Sequence, residues 1–366
     1  MLAVPLGMEH DDKIGALHLP ETMVGQTAGT DRDDHDTHRH VILHPDTLMR
    51  TPVNSGDKLD HYLLGELVAR SSTSSVFSGT DLNTNRRVAI KLPHPEMESD
   101  PTFFDRFRRE EEIGKSLDHP SVMKVLAEDG RDQAYIVMEW FEGVTLRHLL
   151  DDRKIVSSER AVRIAVSICE ALEYIQSRGV VHRDVKPENV MVDAGDHIKL
   201  IGFGAAAQVG ARRITFTNLS QVVGTSEYVS PEELKGKRGD ARSDIYSLGV
   251  MLYEMLTGLT PFAGVDPFER ALKHPVPPRE IEPSISPQLQ EVVYRALERE
   301  PKNRYANARD FARDLAHLDR VGVPDRLELS EWKKQRTALL RKILTYAAVA
   351  LVPIVVFGLL LYFARH

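Results

Sequence analysis

Apolar residues between positions 58 and 141 occur in short runs that polar turn residues interrupt. The segments "HYLLGELV", "SSVFSGTDL" and "RRVAIKLP" carry branched and aromatic apolar residues, which is typical of β-strands. Between the second and third segments, "NTN" at residues 83–85 predicts a hairpin turn. A further apolar run, "AYIVMEWF", predicts another strand.

Helical periodicity alternates with these strands and then replaces them. "DPTFFDRFRREEEIGKSL" predicts one helix, and "SSERAVRIAVSICEALEYIQSRG" predicts a longer one that begins at Ser157 or Ser158 and ends near Gly179. Cys169 lies on the apolar face of the longer helix, so it is predicted to be a core residue. Helical patterns dominate after about residue 210. The chain therefore predicts an α+β fold with two lobes and a cleft between them.

The two ends of the chain differ from this middle part. Residues 1–57 are rich in His, Asp, Thr, Pro and Gly without a sustained period, which predicts a disordered polar tail. Residues 58–319 are predicted to form the globular domain, and residues 320–342 a linker with a basic juxtamembrane segment.

An uncharged apolar segment, "ILTYAAVALVPIVVFGLLLYF" at residues 343–363, predicts a C-terminal transmembrane helix. At about 1.5 Å per residue its length matches a hydrocarbon core of about 30 Å. Basic residues precede it more densely than they follow it, and those that precede it are Lys333, Lys334, Arg336, Arg341 and Lys342. The positive-inside rule then predicts a single-pass protein of the cytoplasmic membrane with its globular domain in the cytoplasm.

Composition narrows the choice of partners. The formal net charge is −7, which gives no electrostatic argument for nucleic-acid binding. A single cysteine, Cys169, excludes an intramolecular disulfide framework. We expect a protein partner at the cytoplasmic face of the membrane, either a substrate or a docking partner, and a homodimer remains open.

One segment carries chemistry at high specificity. "VVHRDVKPENVMV", with Asp184, Lys186 and Asn189, resembles the catalytic loop of protein kinases. Other segments match the same family in the right order over about 260 residues: "VAIK" ending at Lys91, "RFRREEEIGKSLDHP" with Glu110, "SPE" at 230–232, "SDIYSLG" with Asp244 and "EREPKNR" ending at Arg304. The chain resembles bacterial Ser/Thr kinases of the eukaryotic-like type, for which Lys186 is typical.

This resemblance implies the bilobal protein kinase fold, with a small β-rich lobe, a larger helical lobe, and ATP with Mg²⁺ or Mn²⁺ between them. By resemblance, Asp184 would accept the proton of a substrate hydroxyl, and Lys186 would steady the γ-phosphate. Asn189 would hold one metal ion. Lys91, held by Glu110, would grip the α- and β-phosphates.

The resemblance also assigns residues to the adenine side of the cleft. Met138 would be the gatekeeper, and the segment from Glu139 to Phe141 would be the hinge that meets adenine. Three apolar residues would sandwich the base: Val76, Ala89 and Met191.

Two departures from the family pattern lie on the phosphate side. The glycine-rich loop should carry three glycines before Val76, but those positions hold Ala69, Ser71 and Ser74. The hydroxyls of Ser71 and Ser74 could substitute as weaker phosphate contacts. The second departure is Gly202, which stands where the metal-binding aspartate of Asp-Phe-Gly belongs, and glycine has no side chain with which to bind a metal.

Two functions therefore stay open. One is a pseudokinase, that is, a weakly active or inactive signalling module that retains an ATP cleft. The other is an active Ser/Thr kinase that uses metal in an unusual way. In either case, Thr215 or Thr217 is the predicted phosphorylation site between Gly204 and Ser230, and Arg183 could pair with the phosphate.

Overall fold

The computed structural model of the protein describes residues 53–97, 100–126, 133–153, 155–208, 226–270 and 273–326, and parts of 329–362. An antiparallel sheet forms the N-terminal lobe. Its strands lie in the order β1-β2-β3-β4-β6-β5. They are β1 (Lys58–Leu59), β2 (Tyr62–Arg70), β3 (Ser74–Asp81), β4 (Arg86–Pro93), β5 (Val125–Leu126) and β6 (Ile136–Glu139).

The β3–β4 hairpin carries the first predicted turn. The two strands pair without a break from Ser74 opposite Pro93 to Asp81 opposite Arg86. The Asp81 carboxylate closes the turn, because it accepts hydrogen bonds from the backbone N–H and the hydroxyl of Thr84, the latter at 2.5 Å. The predicted hairpin at 83–85 is confirmed.

Helix α1 (Pro101–Ser116) follows β4 in the chain and packs against the sheet. The Asp100 side chain caps it by accepting hydrogen bonds from the N–H groups of Thr102 and Phe103, at 2.9 and 3.3 Å. Pro101 at the first helical position fits because its missing N–H would have no helical partner. Phe107 is buried in a small cluster with β5 and β6, and this fixes which face of α1 meets the sheet.

The C-terminal lobe is helical, as the sequence predicts. Its helices are α2 (Leu146–Arg153), α3 (Ser158–Ser177), α4 (Pro231–Leu234), α5 (Ala241–Thr257), α6 (Pro267–Arg270), α7 (Pro278–Ile281), α8 (Pro287–Ala296) and α9 (Ala308–Ala316). Short strands line its cleft side: β7 (Val144–Thr145), β8 (Val180–Val181), β9 (Val190–Val192), β10 (Ile198–Leu200) and β11 (Ala207–Gln208). They pair as β10-β9-β7 and as β11-β8.

The core of this lobe surrounds α3 and α5. Ser157 caps α3 by accepting a hydrogen bond from the N–H of Arg160, and Gly179 follows its end with φ +73°. Cys169 is fully buried, which confirms that it is a core residue, and burial raises the pKa of its thiol. Helix α5 is buried from Ser243 to Thr257 and ends at Gly258 in the left-handed conformation.

Contacts of the helical lobe continue past residue 319. The Arg326 side chain binds both carboxylate oxygens of Glu291 at 2.6 Å and one oxygen of Glu298 at 2.8 Å. Part of the segment that the sequence predicts as a linker is therefore tied to α8.

The membrane prediction falls on a part of the chain that is described only in fragments. Residues 1–52 of the predicted tail 1–57 and many residues of 343–363 lie outside the described residues. Among the helices that the structure does describe, none combines the length and the apolar character that a membrane crossing needs. The predicted span stays a prediction.

Candidate active site

An ion pair joins the sheet to α1 on the side of the cleft where the resemblance places the phosphates. Lys91 Nζ on β4 lies 2.7 Å from both carboxylate oxygens of Glu110. The two side chains are only 21% and 13% exposed, so solvent screens this pair less than a surface pair. A Cβ at Gly204 would lie 3.4 Å from Glu110 Oε2, so the segment after β10 packs close to the pair.

A residue of α5 holds the backbone of the segment that resembles the catalytic loop. Asp244 accepts hydrogen bonds from the backbone N–H groups of His182 (3.0 Å) and Arg183 (2.8 Å). Burial raises the pKa of the Asp244 carboxyl to about 7, although both N–H groups act in the opposite direction. Arg183 has φ +64°, an uncommon conformation that this anchor helps to hold.

Asp184 contacts two other residues that the resemblance assigns to the catalytic loop. Lys186 Nζ lies 2.9 Å from Asp184 Oδ2. The Asn189 amide Nδ2 donates to the same oxygen at 2.8 Å and to the backbone carbonyl of Asp184 at 2.7 Å. The structure therefore brings Asp184, Lys186 and Asn189 together.

His182 links this loop to the segment that contains Gly202. The N–H of Asp184 donates to His182 Nδ1 at 3.3 Å, so Nε2 carries the proton and donates to the Ile201 carbonyl at 2.9 Å. Burial lowers the pKa of His182 and keeps the ring neutral. Phe203 is buried, and its ring centroid lies 4.9 Å from that of His182. Phe203 thus packs the segment that follows Gly202 against the loop that contains His182.

Gly202 adopts φ +81° and ψ 51°, a left-handed conformation that favours glycine. An ideal Cβ at this position would lie 2.6 Å from Asn189 Oδ1. The space in which a side chain at position 202 would start is therefore taken by the Asn189 amide.

The donors on this side do not fit the Mg²⁺ or Mn²⁺ that the resemblance implies. Both metals prefer several oxygen ligands, usually with at least one carboxylate. Asn189 offers one amide oxygen, Gly202 offers no side chain, and Asp184 Oδ2 is already shared by Lys186 and Asn189. Within the described residues, no group of three or more His, Cys, Asp or Glu side chains is placed to hold a metal ion.

The adenine side is formed by the face of the sheet that carries Lys91. Ala89 lies two residues before Lys91 on β4 and thus on the same face, while Val88 and Ile90 point into the core. Ala89 pairs with Met138 on β6.

Val76 on β3 stands opposite Lys91, and Met191 on β9 lies between Thr145 and Lys199. Val76, Met191, Ala89 and Met138 are all half-buried.

Sequence reasoning missed how the hinge is tied to the helical lobe. Glu139 Oε1 accepts hydrogen bonds from Lys199 Nζ at 2.6 Å and from the backbone N–H of Lys124 at 2.9 Å. A lysine inside the apolar strand "IKL" is the one signal that could have suggested a buried partner for Lys199. Phe141 is half-buried beside Gly143, where a Cβ would lie 2.8 Å from its ring.

The β2–β3 turn uses its serines internally. Ser71 donates its N–H to the Ser74 carbonyl at 2.9 Å, and its hydroxyl accepts the N–H groups of Thr73 and Ser74 at 3.2 and 3.0 Å. The Ser74 side chain is buried, and its hydroxyl lies 3.2 Å from that of Ser71. Phosphate contacts by these two hydroxyls stay a prediction.

The predicted phosphorylation sites Thr215 and Thr217 lie outside the described residues. Arg183, their predicted partner, is described: its Nη2 donates to the Gly239 carbonyl at 3.1 Å. Its Nε is buried without a hydrogen-bond partner among the described residues.

Comparison with known proteins identifies the family to which this chain is similar. The family described as "Protein kinase domain" matches residues 62–316. The serine/threonine-protein kinase PknB of Mycolicibacterium smegmatis is 37% identical over 287 residues, which are 76% of this chain and 45% of that protein. PknB of Mycobacterium tuberculosis is 36% identical over 302 residues, which are 80% of this chain and 47% of that protein. The chain thus spans about half the length of the curated relatives that it matches.

Solved structures agree with this match. The crystal structure of the Mycobacterium tuberculosis PknI kinase domain superposes with a TM-score of 0.59 at 26% sequence identity. That match covers 73% of this chain and 99% of the PknI chain.

Proposed function

The chain belongs to the protein kinase family, with relatives among bacterial Ser/Thr kinases, and we propose that it is a nucleotide-binding signalling module with weak or absent phosphate transfer. The observation that carries this proposal is Gly202, because it removes the carboxylate while Asn189 fills the adjacent space. The Lys91–Glu110 pair and the contacts of Asp184 with Lys186 and Asn189 support retained nucleotide binding over complete loss of the site.

The residues present would divide the work as follows. The four half-buried apolar residues on the adenine side, Val76, Ala89, Met138 and Met191, would hold the base. Lys91, oriented by Glu110, would bind phosphate oxygens. Asp184 would orient a substrate hydroxyl and accept its proton, while Lys186 would neutralise charge on the γ-phosphate. In kinases that have the metal-binding aspartate, a divalent metal supplies charge neutralisation worth several kcal/mol at the transition state. A loss of about 4 kcal/mol would slow transfer roughly a thousandfold.

A second function has its own support. Asp184, Lys186 and Asn189 are in contact, and the Lys91–Glu110 ion pair is closed. An active Ser/Thr kinase that uses metal in an unusual way needs both features. A module kept only for docking needs neither.

A phosphotransfer assay separates the two functions. The full chain would be given radiolabelled ATP and a general protein substrate, with Mg²⁺, with Mn²⁺, or with EDTA. Asp184→Asn is the background control because it removes the proton acceptor. We expect transfer by the wild type to exceed this background only slightly. Transfer at about 1 s⁻¹ or faster, which is ordinary for kinases, would contradict the proposal and support the active alternative.

We also propose that residues 343–363 anchor the module in the cytoplasmic membrane, where its protein partner would be met. The basic cluster before this segment and its uncharged apolar composition support the proposal. A reporter fused after His366 should be active only if it functions outside the cytoplasm. Activity of a reporter that works only in the cytoplasm would overturn this topology.

A further inference from the structure

We infer that the cleft binds a nucleoside di- or triphosphate as the free anion, with Lys91 and Lys186 as its counter-charges and no divalent cation. This inference rests on the proposed nucleotide site and specifies how that site handles phosphate.

The first step is the state of Asn189. Its amide group donates both to the Asp184 carbonyl and to Asp184 Oδ2. Its Oδ1 points to the place where a Cβ of residue 202 would stand. Asn189, the residue that could ligate a metal, thus holds Asp184 through its amide nitrogen. Its oxygen occupies the space in which the side chain of an aspartate at position 202 would begin.

The second step is the charge on the phosphate side. Lys91 and Lys186 contribute two positive charges, and Glu110 and Asp184 contribute two negative charges, so the four groups sum to zero. An aspartate at position 202 would make the sum −1. Such a carboxylate repels phosphate oxygens unless a metal ion lies between them. Since Gly202 carries no charge, this repulsion is absent and no bridging metal is needed to relieve it.

The third step is the space beside Lys91. A cavity of about 250 Å³ lies between the β2–β3 turn, Lys91 and α1. Thr73 and Ser74 line it from the turn, and Arg106 adds a second positive charge on its wall. The acidic residues Asp100 and Glu110 also border it, but Glu110 is neutralised by Lys91. A phosphate group placed in this cavity would meet Lys91, Arg106 and two hydroxyls, with the Asp100 carboxylate as an opposing charge.

The test is a calorimetric titration of the purified full chain with ADP and with ATP, once in EDTA and once in excess Mg²⁺. We expect the dissociation constants in the two buffers to agree within about threefold. Lys186→Met should weaken binding in EDTA by about tenfold or more, because it removes one of the two counter-charges. The control Lys273→Met removes an exposed lysine that is paired with Glu269 on another part of the lobe, and it should bind like the wild type.

Two variants at position 202 isolate the charge. Gly202→Asp and Gly202→Asn carry side chains of the same shape, meet the same Asn189 contact and tolerate positive φ to a similar extent. Only the aspartate adds a negative charge. In EDTA we expect Gly202→Asp to bind ADP about tenfold more weakly than Gly202→Asn, and excess Mg²⁺ should remove this difference.

The outcomes are distinct. If the wild type binds nucleotide only with Mg²⁺, the inference is overturned while the proposed nucleotide site stands. Absence of binding in both buffers overturns the nucleotide site, and the inference with it. If the position 202 variants do not fold, the wild-type titrations in the two buffers still decide the question.

Discussion

Lys91 on the sheet and Glu110 on α1 form a two-oxygen ion pair, with Nζ 2.7 Å from each carboxylate oxygen. This pair fixes the position of the cation on the N-terminal side of the site. One of the two departures from the kinase pattern lies on the other side of the site, at Gly202.

The ion pair gives the first prediction. Glu110→Gln should weaken ADP binding about tenfold, because the loss of the carboxylate that positions Lys91 outweighs the removal of one negative charge from the phosphate side. Glu111→Gln is the matched control, since Glu111 pairs with Lys115 at 2.9 Å on the same helix. Titration calorimetry measures both variants. Equal affinities for the two would show that Glu110 does not orient Lys91.

Gly202 gives the second prediction, which concerns stability. Gly202→Ala adds a Cβ at φ +81° and 2.6 Å from Asn189 Oδ1, so both backbone strain and a steric contact oppose it. Gly179→Ala is the control for strain alone, because Gly179 has φ +73° and nothing within 4 Å of the added Cβ.

Urea unfolding of the two variants separates these effects. We expect Gly179→Ala to cost about 1–2 kcal/mol and Gly202→Ala to cost at least about 1 kcal/mol more. An equal loss in both variants would mean that Asn189 moves away without cost. In that case its contacts with Asp184 would be weaker than the distances suggest.

His182 gives the third prediction, which concerns pH. Burial lowers the pKa of His182 below its ordinary 6.5, and the nearby charges oppose one another, since Asp184 and Glu110 raise it and Lys186 lowers it. Below about pH 6.5 the unfolded chain therefore binds a proton that the folded chain does not bind. The stability contributed by the neutral ring is present above this pH and is lost as the pH falls.

The measurement is the free energy of unfolding of the wild type and of His182→Phe between pH 8 and pH 5. The phenylalanine keeps a ring but cannot titrate, so the advantage of the wild type should shrink as the pH falls below about 6.5. Other titrating groups cancel in the difference. A difference that stays constant with pH would refute the neutral, buried role of His182.

Arg326 gives the fourth prediction. Its guanidinium makes paired bonds to Glu291 and a further bond to Glu298, and its side chain is only 13% exposed. Arg326→Ala should lower the free energy of unfolding by about 3 kcal/mol, because it leaves two partly buried carboxylates without their cation. The free energy of unfolding of Arg326→Lys should lie between those of the wild type and Arg326→Ala, since lysine cannot form the paired bonds to one carboxylate.

The control for Arg326 is Arg309→Ala, whose pair with Glu173 is mostly exposed and should contribute about 0–1 kcal/mol. Thermal unfolding of truncated chains tests the same point. A chain that ends at residue 319 should be less stable than one that ends at residue 327. Equal stability would support the domain boundary at residue 319 that the sequence predicts.

Local rules made much of the fold predictable. The hairpin at 83–85, the cap of α3 at Ser157 and the buried face with Cys169 each depend on neighbours within a few residues. The resemblance to the kinase catalytic loop assigned Asp184 and Asn189 to one loop, and the five positions between them allow the contact that the structure shows.

Long-range pairings were beyond this reasoning. The bond from Lys199 to Glu139 joins residues 60 positions apart, and no periodicity specifies it. The contact between position 202 and Asn189 depends on a positive φ that glycine permits but does not require. Strand β6 ends at Glu139, earlier than the apolar run "AYIVMEWF" predicts. Trp140 instead packs under Arg87, whose guanidinium lies 3.7 Å from the ring centroid.

The most direct test of the central claim, that this cleft lacks the protein ligands of a divalent metal, is a Mn²⁺ titration followed by electron paramagnetic resonance. Mn²⁺ would be added to ADP alone and to ADP with a saturating amount of the full chain. The account predicts that the protein–ADP complex binds Mn²⁺ no more tightly than free ADP, within about threefold. An affinity for Mn²⁺ about tenfold or more above that of free ADP would show that the protein supplies metal ligands and would contradict the account.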